Sequence, residues 1–276
     1  NDHSHTVVID CTSSEALSEY YNTFIQSGFH VITPNKKVTS GYFSRFEQVK
    51  ESCLKNKRYF LYETNVCAGL PVIKTLQDLV ATGDEIISTQ GVFSGTLSYL
   101  FNEVNAGIPF SKALTYAYEN GLTEPDPRED LNGLDVARKC VCLAREMGFS
   151  VELSDVNITP ILPDHLMEGC VESFLSKKEL MDRVFNERLS TLKNKQNKLA
   201  YTGVISHEGK IQLSIEELDN TSPFYNLKGT DNMVIFKSKR YEKYPLIIQG
   251  PGAGADVTAA GVFADLLRLV SLTSGA

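Results

Sequence analysis

Over residues 1–62 the chain alternates between short β-branched runs and helix-length segments, and this alternation constrains the fold more than any other feature. Thr6-Val-Val-Ile-Asp10 reads as a buried strand, Ser14 to Gln26 as a helix capped by Ser13 or Ser14 and closed by Gly28, and His30-Val-Ile-Thr33 as the next strand. Phe43 to Lys55 supplies another helix and Tyr59-Phe-Leu-Tyr62 another strand. Strands separated by helices of about a dozen residues predict a parallel sheet of the doubly wound kind. In such sheets ligands lie beyond the carboxyl ends of the strands, where DCTSS (Asp10 to Ser14) and TPNKK (Thr33 to Lys37) fall.

A dinucleotide-binding sheet opens with a strand, a G-x-G-x-x-G loop and a helix. The chain has no such loop in its early part, and GPGAGAD (Gly250 to Asp256) lies near the C-terminus with no second strand of a βαβ unit after it. The expectation is a partial Rossmann-like domain over residues 1–62, its N-terminal βαβ missing from this sequence.

From residue 63 the pattern changes. ETNVCAGLP (Glu63 to Pro71) reads as a loop entering a proline-started helix, Val72 to Ala81. A strand over Glu85 to Phe93 leads into a helix that begins at Ser94 or Thr96, and Phe110 to Asn120 gives another, closed by Gly121. A further helix runs from about Asn132 to Met147 and ends at Gly148. After Ser150 the sequence predicts mostly strand, with one long polar helix near Lys178 to Asn194. Strand candidates are Ala200 to Ser206, Lys210 to Glu216, Asn232 to Ser238 and Leu246 to Gln249. Asp256 to Leu272 reads as an amphipathic helix capped by Asp256 or Thr258. The fold class expected is α/β, with an α+β domain and mixed sheet over 63–249 and a C-terminal helix, 250–276, returning to the first domain.

Composition narrows the function classes. A chain of 276 residues with 42% hydrophobic content can bury a sizeable core. Its net charge of -7, with no basic run beyond Lys36-Lys37 and scattered lysines near Lys193 to Lys198, argues against a nucleic-acid partner. No apolar run approaches the roughly 18 residues of a membrane span, and Asn1 to His5 is polar, unlike a signal peptide. Cysteines 11, 53, 67, 140, 142 and 170 show neither C-x-x-C pairs nor zinc spacing, so a reduced, cytoplasmic protein is expected.

The chemistry concentrates in TEPDPREDLNGLDVARKC (Thr123 to Cys140). Between Val136 and Ala144 the only polar residues are Arg138 and Lys139, so this helix is apolar nearly all round and belongs in the core. A buried ammonium needs a partner, and Asp135, one turn earlier on the same face, supplies one. The pair reads either as a structural ion pair or as a lysine and an aspartate aimed into a pocket. Pro125 and Pro127 deny helix to Thr123 to Arg128, which sets Glu124 and Asp126 on a stiff loop suited to an ammonium group or a cation. Asp126, Glu129 and Asp130 also read as ordinary solvated acids.

The stretch TEPDPREDLNGLDVARK, with TPNKK, ETNVCAGLP, FSGTLSYLF and GPGAGADVTAAGVFADLLR, resembles the homoserine dehydrogenases, and more narrowly the C-terminal part of the bifunctional aspartokinase/homoserine dehydrogenases. The resemblance covers essentially the whole chain. It implies reduction of L-aspartate 4-semialdehyde to L-homoserine with NADPH or NADH, on the route to threonine and methionine. It implies that Glu124, Asp130 and Asp135 hold the substrate's amino group. Lys139 and Lys36 are implied as the groups that protonate or polarise the aldehyde oxygen, with Lys139 favoured as the acid. That chemistry is consistent, because hydride transfer to a carbonyl develops an alkoxide that a positioned ammonium stabilises and protonates.

The same resemblance implies a monovalent cation, sodium, held by Glu63, Val66, Ala68 and Leu70, largely through backbone oxygens. Cofactor contacts are implied at Thr12, Ser13, Asn35, Lys36, Gly252 and Gly254. Without the glycine-rich loop the pyrophosphate lacks its helix N-terminus, so the chain alone is expected to be inactive and to bind NADP or NAD weakly. A homodimer formed through the second domain, and an aspartokinase domain upstream, are further expectations from the family. The rival readings are a catalytically dead regulatory or assembly module, another NAD(P)-dependent amino-acid dehydrogenase, and a semialdehyde dehydrogenase working through a thioester, for which Cys67 is the best nucleophile offered.

Overall fold

The computed structural model describes residues 5–274, so the readings that reach residues 1–4 and 275–276 lie there outside the described residues. Three parallel strands, β1 (Thr6–Ile9), β2 (Phe29–Ile32) and β3 (Phe60–Leu61), form the first sheet in the order β1-β2-β3. Side chains alternate across it, as a two-residue period requires. Val31 and Phe60 pack with Tyr21, Ile25, Phe46 and Val49 on one side, whereas Ile32 and Leu61 pack with Leu269 on the other. The first side is covered by α2 (Tyr21–Gln26) and α3 (Phe43–Asn56), the second by the last helix, α12 (Ala255–Thr273).

The helix expected over Ser14 to Gln26 is two: α1 (Glu15–Ser18), capped by the Ser14 hydroxyl, and α2. The turn at Glu19-Tyr20 re-aims the chain so that Tyr21 and Ile25 are fully buried.

A second sheet of six strands has the order β5-β7-β6-β4-β8-β9. Its members are β4 (Ile86–Val92), β5 (Asn157–Ile158), β6 (Lys198–Ser206), β7 (Ile211–Leu218), β8 (Asp231–Ser238) and β9 (Leu246–Pro251). All neighbours are antiparallel except β5 with β7, so the sheet is mixed. Val234 and Phe236 of β8 join the main core, and Met233 and Ile235 a smaller cluster with Val92 and Phe224 on the reverse side. The main core lies under α4 (Val72–Ala81), α5 (Gly95–Asn105), α6 (Phe110–Glu119) and α8 (Leu134–Glu146), the last preceded by the single turn α7 (Arg128–Leu131).

Residues 150–176 depart from the mostly-strand expectation: apart from β5 and the 3-10 turn Leu153–Asp155 they form α9 (Asp164–Met167) and α10 (Val171–Ser176), whereas the polar helix expected near Lys178 to Asn194 is present as α11 (Lys178–Ser190). Pro163 starts the first of these, Gly169 at φ 95° separates it from the second, and the apolar residues they bury are widely spaced, Leu166, Phe174, Met181 and Phe185. The cap expected at Asp256 or Thr258 is also absent. Helix α12 starts directly after Gly254 with no side-chain cap, and the Thr258 hydroxyl instead donates back to Gly254 O at 2.8 Å.

Two close approaches fix these parts together. A Cβ at Gly261 would lie 2.5 Å from Thr64 Cγ2, and one at Gly69 2.5 Å from Val257 O, so glycine lets α12 sit against the loop that follows β3. At the far end of α8, Arg145, 5% exposed, donates to Thr39 O at 2.9 Å, Gly41 O at 2.6 Å and Val151 O at 2.9 Å, and its guanidinium faces the Phe43 and Phe46 rings. Among the described residues no helix is long and apolar enough to cross a membrane.

Candidate active site

Helix α8 begins after Gly133, whose φ of 75° favours glycine, and puts Asp135 in its first turn, where the helix dipole stabilises an anion. One turn on, Lys139 is 8% exposed, with Nζ 2.8 Å from Asp135 Oδ2 and donating to Phe93 O at 2.7 Å. The other oxygen of Asp135 faces Lys36 Nζ at 3.2 Å, so one carboxylate bridges two ammoniums that come from different parts of the fold. Burial pushes the Asp135 carboxyl up, but Lys139 and Lys36 outweigh it and hold the group well below the usual carboxylate range. Burial likewise pulls Lys139 down, and Asp135 more than compensates, so the lysine stays charged. The ion pair of the sequence alternative is therefore present, and the Asp135 side chain is still 47% exposed beside it.

The acidic loop is stiffened by its own hydrogen bonds. Arg128 grips Asp126 through Nε at 2.8 Å and its backbone N–H at 3.0 Å, and donates to Met167 O and Gly169 O, which anchors the loop to the segment around α9 and α10. Asp126 is thus occupied, and Glu129 is exposed. Glu124 donates its backbone N–H to Asp130 Oδ2 at 2.8 Å. Burial raises the Asp130 carboxyl, helped by repulsion from Glu124 and Asp135 and opposed by the Glu124 N–H and the Thr96 hydroxyl. Glu124, Asp130 and Asp135 thus share one electrostatic neighbourhood, a setting that a positive charge would relieve.

At the strand ends the predicted residues divide. Buried Asp10 accepts from Thr12 N at 2.8 Å, Thr12 Oγ1 at 2.7 Å, Asn35 Nδ2 at 3.2 Å and the Tyr21 hydroxyl. Asn35 also donates to Ser14 O at 2.9 Å, and its Oδ1 accepts from Lys37 N. The Thr12 and Asn35 side chains are therefore engaged within the protein, whereas Ser13 is exposed and Lys36 reaches Asp135. Next to these residues a cleft of about 660 Å³ is lined by Ile9, Cys11, Pro34, Gly254, Thr258 and Phe263. Gly254 is on its wall; Gly252 is instead packed on Asn232, where a Cβ would come within 2.3 Å of Nδ2. Its apolar lining and the N-terminal end of α12 suit a flat ring beside a polar or anionic group.

The loop Glu63 to Leu70 has Cys67 and Ala68 in consecutive left-handed conformations, φ 58° and 50°. Such strain in non-glycine residues persists where the surroundings impose it, often at ligand clamps. Glu63 does not point its carboxylate into this loop; Oε1 and Oε2 accept from Ile73 N at 2.7 Å and Lys74 N at 2.9 Å and cap α4. Burial pushes Glu63 up to about 7, the two N–H groups oppose this, and neighbouring Asp265 adds to it. The carbonyls of Val66 and Ala68 accept no hydrogen bond among the described residues, and buried Thr64 Oγ1 is unpaired. Of the ligand set the resemblance implies, the Val66 and Ala68 carbonyls are open, whereas the Leu70 carbonyl accepts from Val72 N at 2.8 Å. Cys67 is fully buried, its thiol pushed up by burial and contacted by the Asn232 amide, an environment that disfavours a thiolate nucleophile.

Sequence reasoning misses Asp10, Tyr21 and Asn232. The first two carry a faint signal, a strand-ending Asp and a Tyr on the following helix; Asn232 has none, because its partners are distant in sequence.

Comparison with known proteins agrees with this architecture. Residues 71–267 match the family model "Homoserine dehydrogenase", and residues 2–63 match "Homoserine dehydrogenase, NAD binding domain". A bifunctional aspartokinase/homoserine dehydrogenase of Buchnera aphidicola is 42% identical over 98% of this chain and 33% of its own length, so the chain spans about a third of that relative. A crystal structure of a Candida auris protein of unknown function superposes with a TM-score of 0.92 at 36% identity, covering 97% of this chain and 76% of that one. A hyperthermophilic archaeal homoserine dehydrogenase in complex with NADPH, 22% identical, shares the fold with a TM-score of 0.72 over 96% of this chain and 71% of its own. With two family models dividing between them nearly all of its length, the chain belongs to the homoserine dehydrogenase family.

Proposed function

We propose that this chain is the dehydrogenase portion of a larger enzyme that interconverts L-aspartate 4-semialdehyde and L-homoserine with NADPH or NADH. The observation that carries the proposal is the Asp135 carboxylate bridging Lys139 and Lys36 beside a carboxylate-lined loop. The nicotinamide, when bound, supplies a hydride to the aldehyde carbon. The chain does the rest. Glu124, Asp130 and Asp135 receive the substrate ammonium, and Lys139 Nζ gives a proton to the aldehyde oxygen as negative charge develops there, then regains one from solvent. Lys36, at the strand end, adds a second positive charge to the same region.

The ion pair explains how a lysine that holds its proton firmly can release it. A substrate ammonium seated on Asp135 draws that carboxylate away from Lys139 and brings a like charge near it, and both effects lower the lysine's proton affinity. Thr12, Ser13, Asn35, Lys36, Gly252 and Gly254 shape the nicotinamide end of the cofactor site, Thr12 and Asn35 by holding the strand ends rather than by free side-chain atoms. Glu63, Val66, Ala68 and Leu70 form the loop for a sodium-like cation, with backbone oxygens as ligands and the Glu63 carboxylate as support. Residues 1–62 and 250–276 serve the nucleotide and 63–249 the substrate and a homodimer contact, in a cytoplasmic protein whose upstream portion is an aspartokinase. Steady-state oxidation of L-homoserine by the full-length protein tests the reading; no NAD(P)-dependent turnover, in the presence of sodium or potassium, overturns it.

A further inference from the structure

We infer that Asn232 is a positioning residue for Lys139, acting through the carbonyl of Phe93; the inference rests on the function proposed above. Asn232 is fully buried on β8, beside the end of β4. Its Nδ2 donates to Phe93 O at 2.8 Å, the same oxygen that receives Lys139 Nζ at 2.7 Å. Its second contact is the Cys67 sulfur at 3.4 Å, and its Oδ1 has no partner among the described residues. A Cβ at Gly252 would lie 2.3 Å from the amide nitrogen, so only glycine lets this backbone pack against the Asn232 side chain.

The Asn232 amide nitrogen is given to a carbonyl that already has a donor, Lys139 Nζ. Both lone pairs of Phe93 O are thereby used, and the peptide between β4 and the Ser94 cap of α5 is fixed in orientation. Nζ then has one proton on Phe93 O and one on Asp135, and the third is left for a ligand oxygen. The charged and titratable groups around Nζ are Asp135 on its own helix, Lys36 across Asp135, the Cys67 thiol from the loop before α4, and neighbouring Cys140.

The test uses the full-length enzyme with Asn232→Ala and the nearly isosteric Asn232→Asp, which carries the test where the first fails to fold. Two quantities are read: kcat and KM for homoserine oxidation, and the pH dependence of Lys139 acetylation by acetic anhydride without substrate. The expected result is a kcat lower by about tenfold with KM within about threefold, and Lys139 labelling displaced to higher pH in Asn232→Asp. Unchanged kcat, or a loss of activity that follows loss of folded protein with Lys139 labelling unmoved, overturns the inference. If the wild-type enzyme does not oxidise homoserine, the proposed function fails, while the labelling comparison still decides whether Asn232 sets the state of Lys139.

Discussion

Asp10 and Asp135 both sit where a first-sheet loop meets the rest of the molecule, and both gather several donors, yet they are built to opposite ends. Asp10 is 2% exposed and surrounded by neutral donors, Tyr21, Thr12 and Asn35, which together hold its carboxyl below the usual range against the cost of burial. Asp135 keeps an open edge and takes only cations, Lys139 and Lys36. A closed neutral network fixes a backbone; an open charged one can exchange one of its partners for a ligand. The stretch Thr33 to Lys37 contributes to both, with Asn35 in the first and Lys36 in the second, so the scaffold and the assisting charge sit on adjacent residues.

The contrast can be broken from either side. The largest effect is expected at the charged site: Lys139→Met should lower kcat by about 10³-fold, and Lys36→Met by about tenfold to a hundredfold, as general-acid loss exceeds loss of an assisting charge. Initial rates on the full-length enzyme decide this, and the reverse ranking would make Lys36 the acid. Next, Asp135→Asn should raise KM for homoserine about tenfold and, by leaving a buried ammonium with one partner fewer, destabilise by about 1–2 kcal/mol after allowance for the exposed edge. Its pH signature has a definite sign. The folded-state pKa of Asp135 lies below the unfolded value near 4, so its contribution is complete above about pH 4 and is lost as pH falls towards the depressed value. Denaturant melts of wild type and Asp135→Asn should therefore converge as pH falls through that window.

The smallest effect on turnover belongs to the closed network. Tyr21→Phe removes a hydroxyl bonded to Asp10 and 3.0 Å from Thr33 Oγ1 and should cost about 2 kcal/mol, or a Tm lower by about 4–8 °C, with kcat and KM within about twofold. Thermal melts and kinetics on the same sample measure both. A large loss of activity at unchanged stability would show that the two networks are not separable in this way.

Much of this contrast is legible in the sequence, for local reasons. The four-residue spacing of Asp135 and Lys139 on an otherwise apolar helix announces a buried ion pair, and strand–helix alternation announces the first sheet. The resemblance to the family extends that reading to Lys36, Glu124 and Asp130. What escapes it is set by tertiary structure. Asn232 and Phe93 are 139 positions apart, and nothing near either shows that they share a hydrogen bond with a lysine. Helices α9 and α10, between residues 163 and 176, escape because each is only one or two turns long, too short for a helical period to register.

Arg145 gives α8 a second role. The helix carries Lys139 near its beginning, and at its other end the buried guanidinium is bonded to Thr39 and Gly41, just beyond Lys36. Helix and loop therefore form a single spacer, and the separation of the two ammoniums is set when the chain folds rather than when a ligand arrives. Holding two like charges near one another is work done in folding, and it leaves little reorganisation energy for the reaction itself. In kinetic terms, association should be limited by diffusion and desolvation of the substrate rather than by closure of the lysine pair.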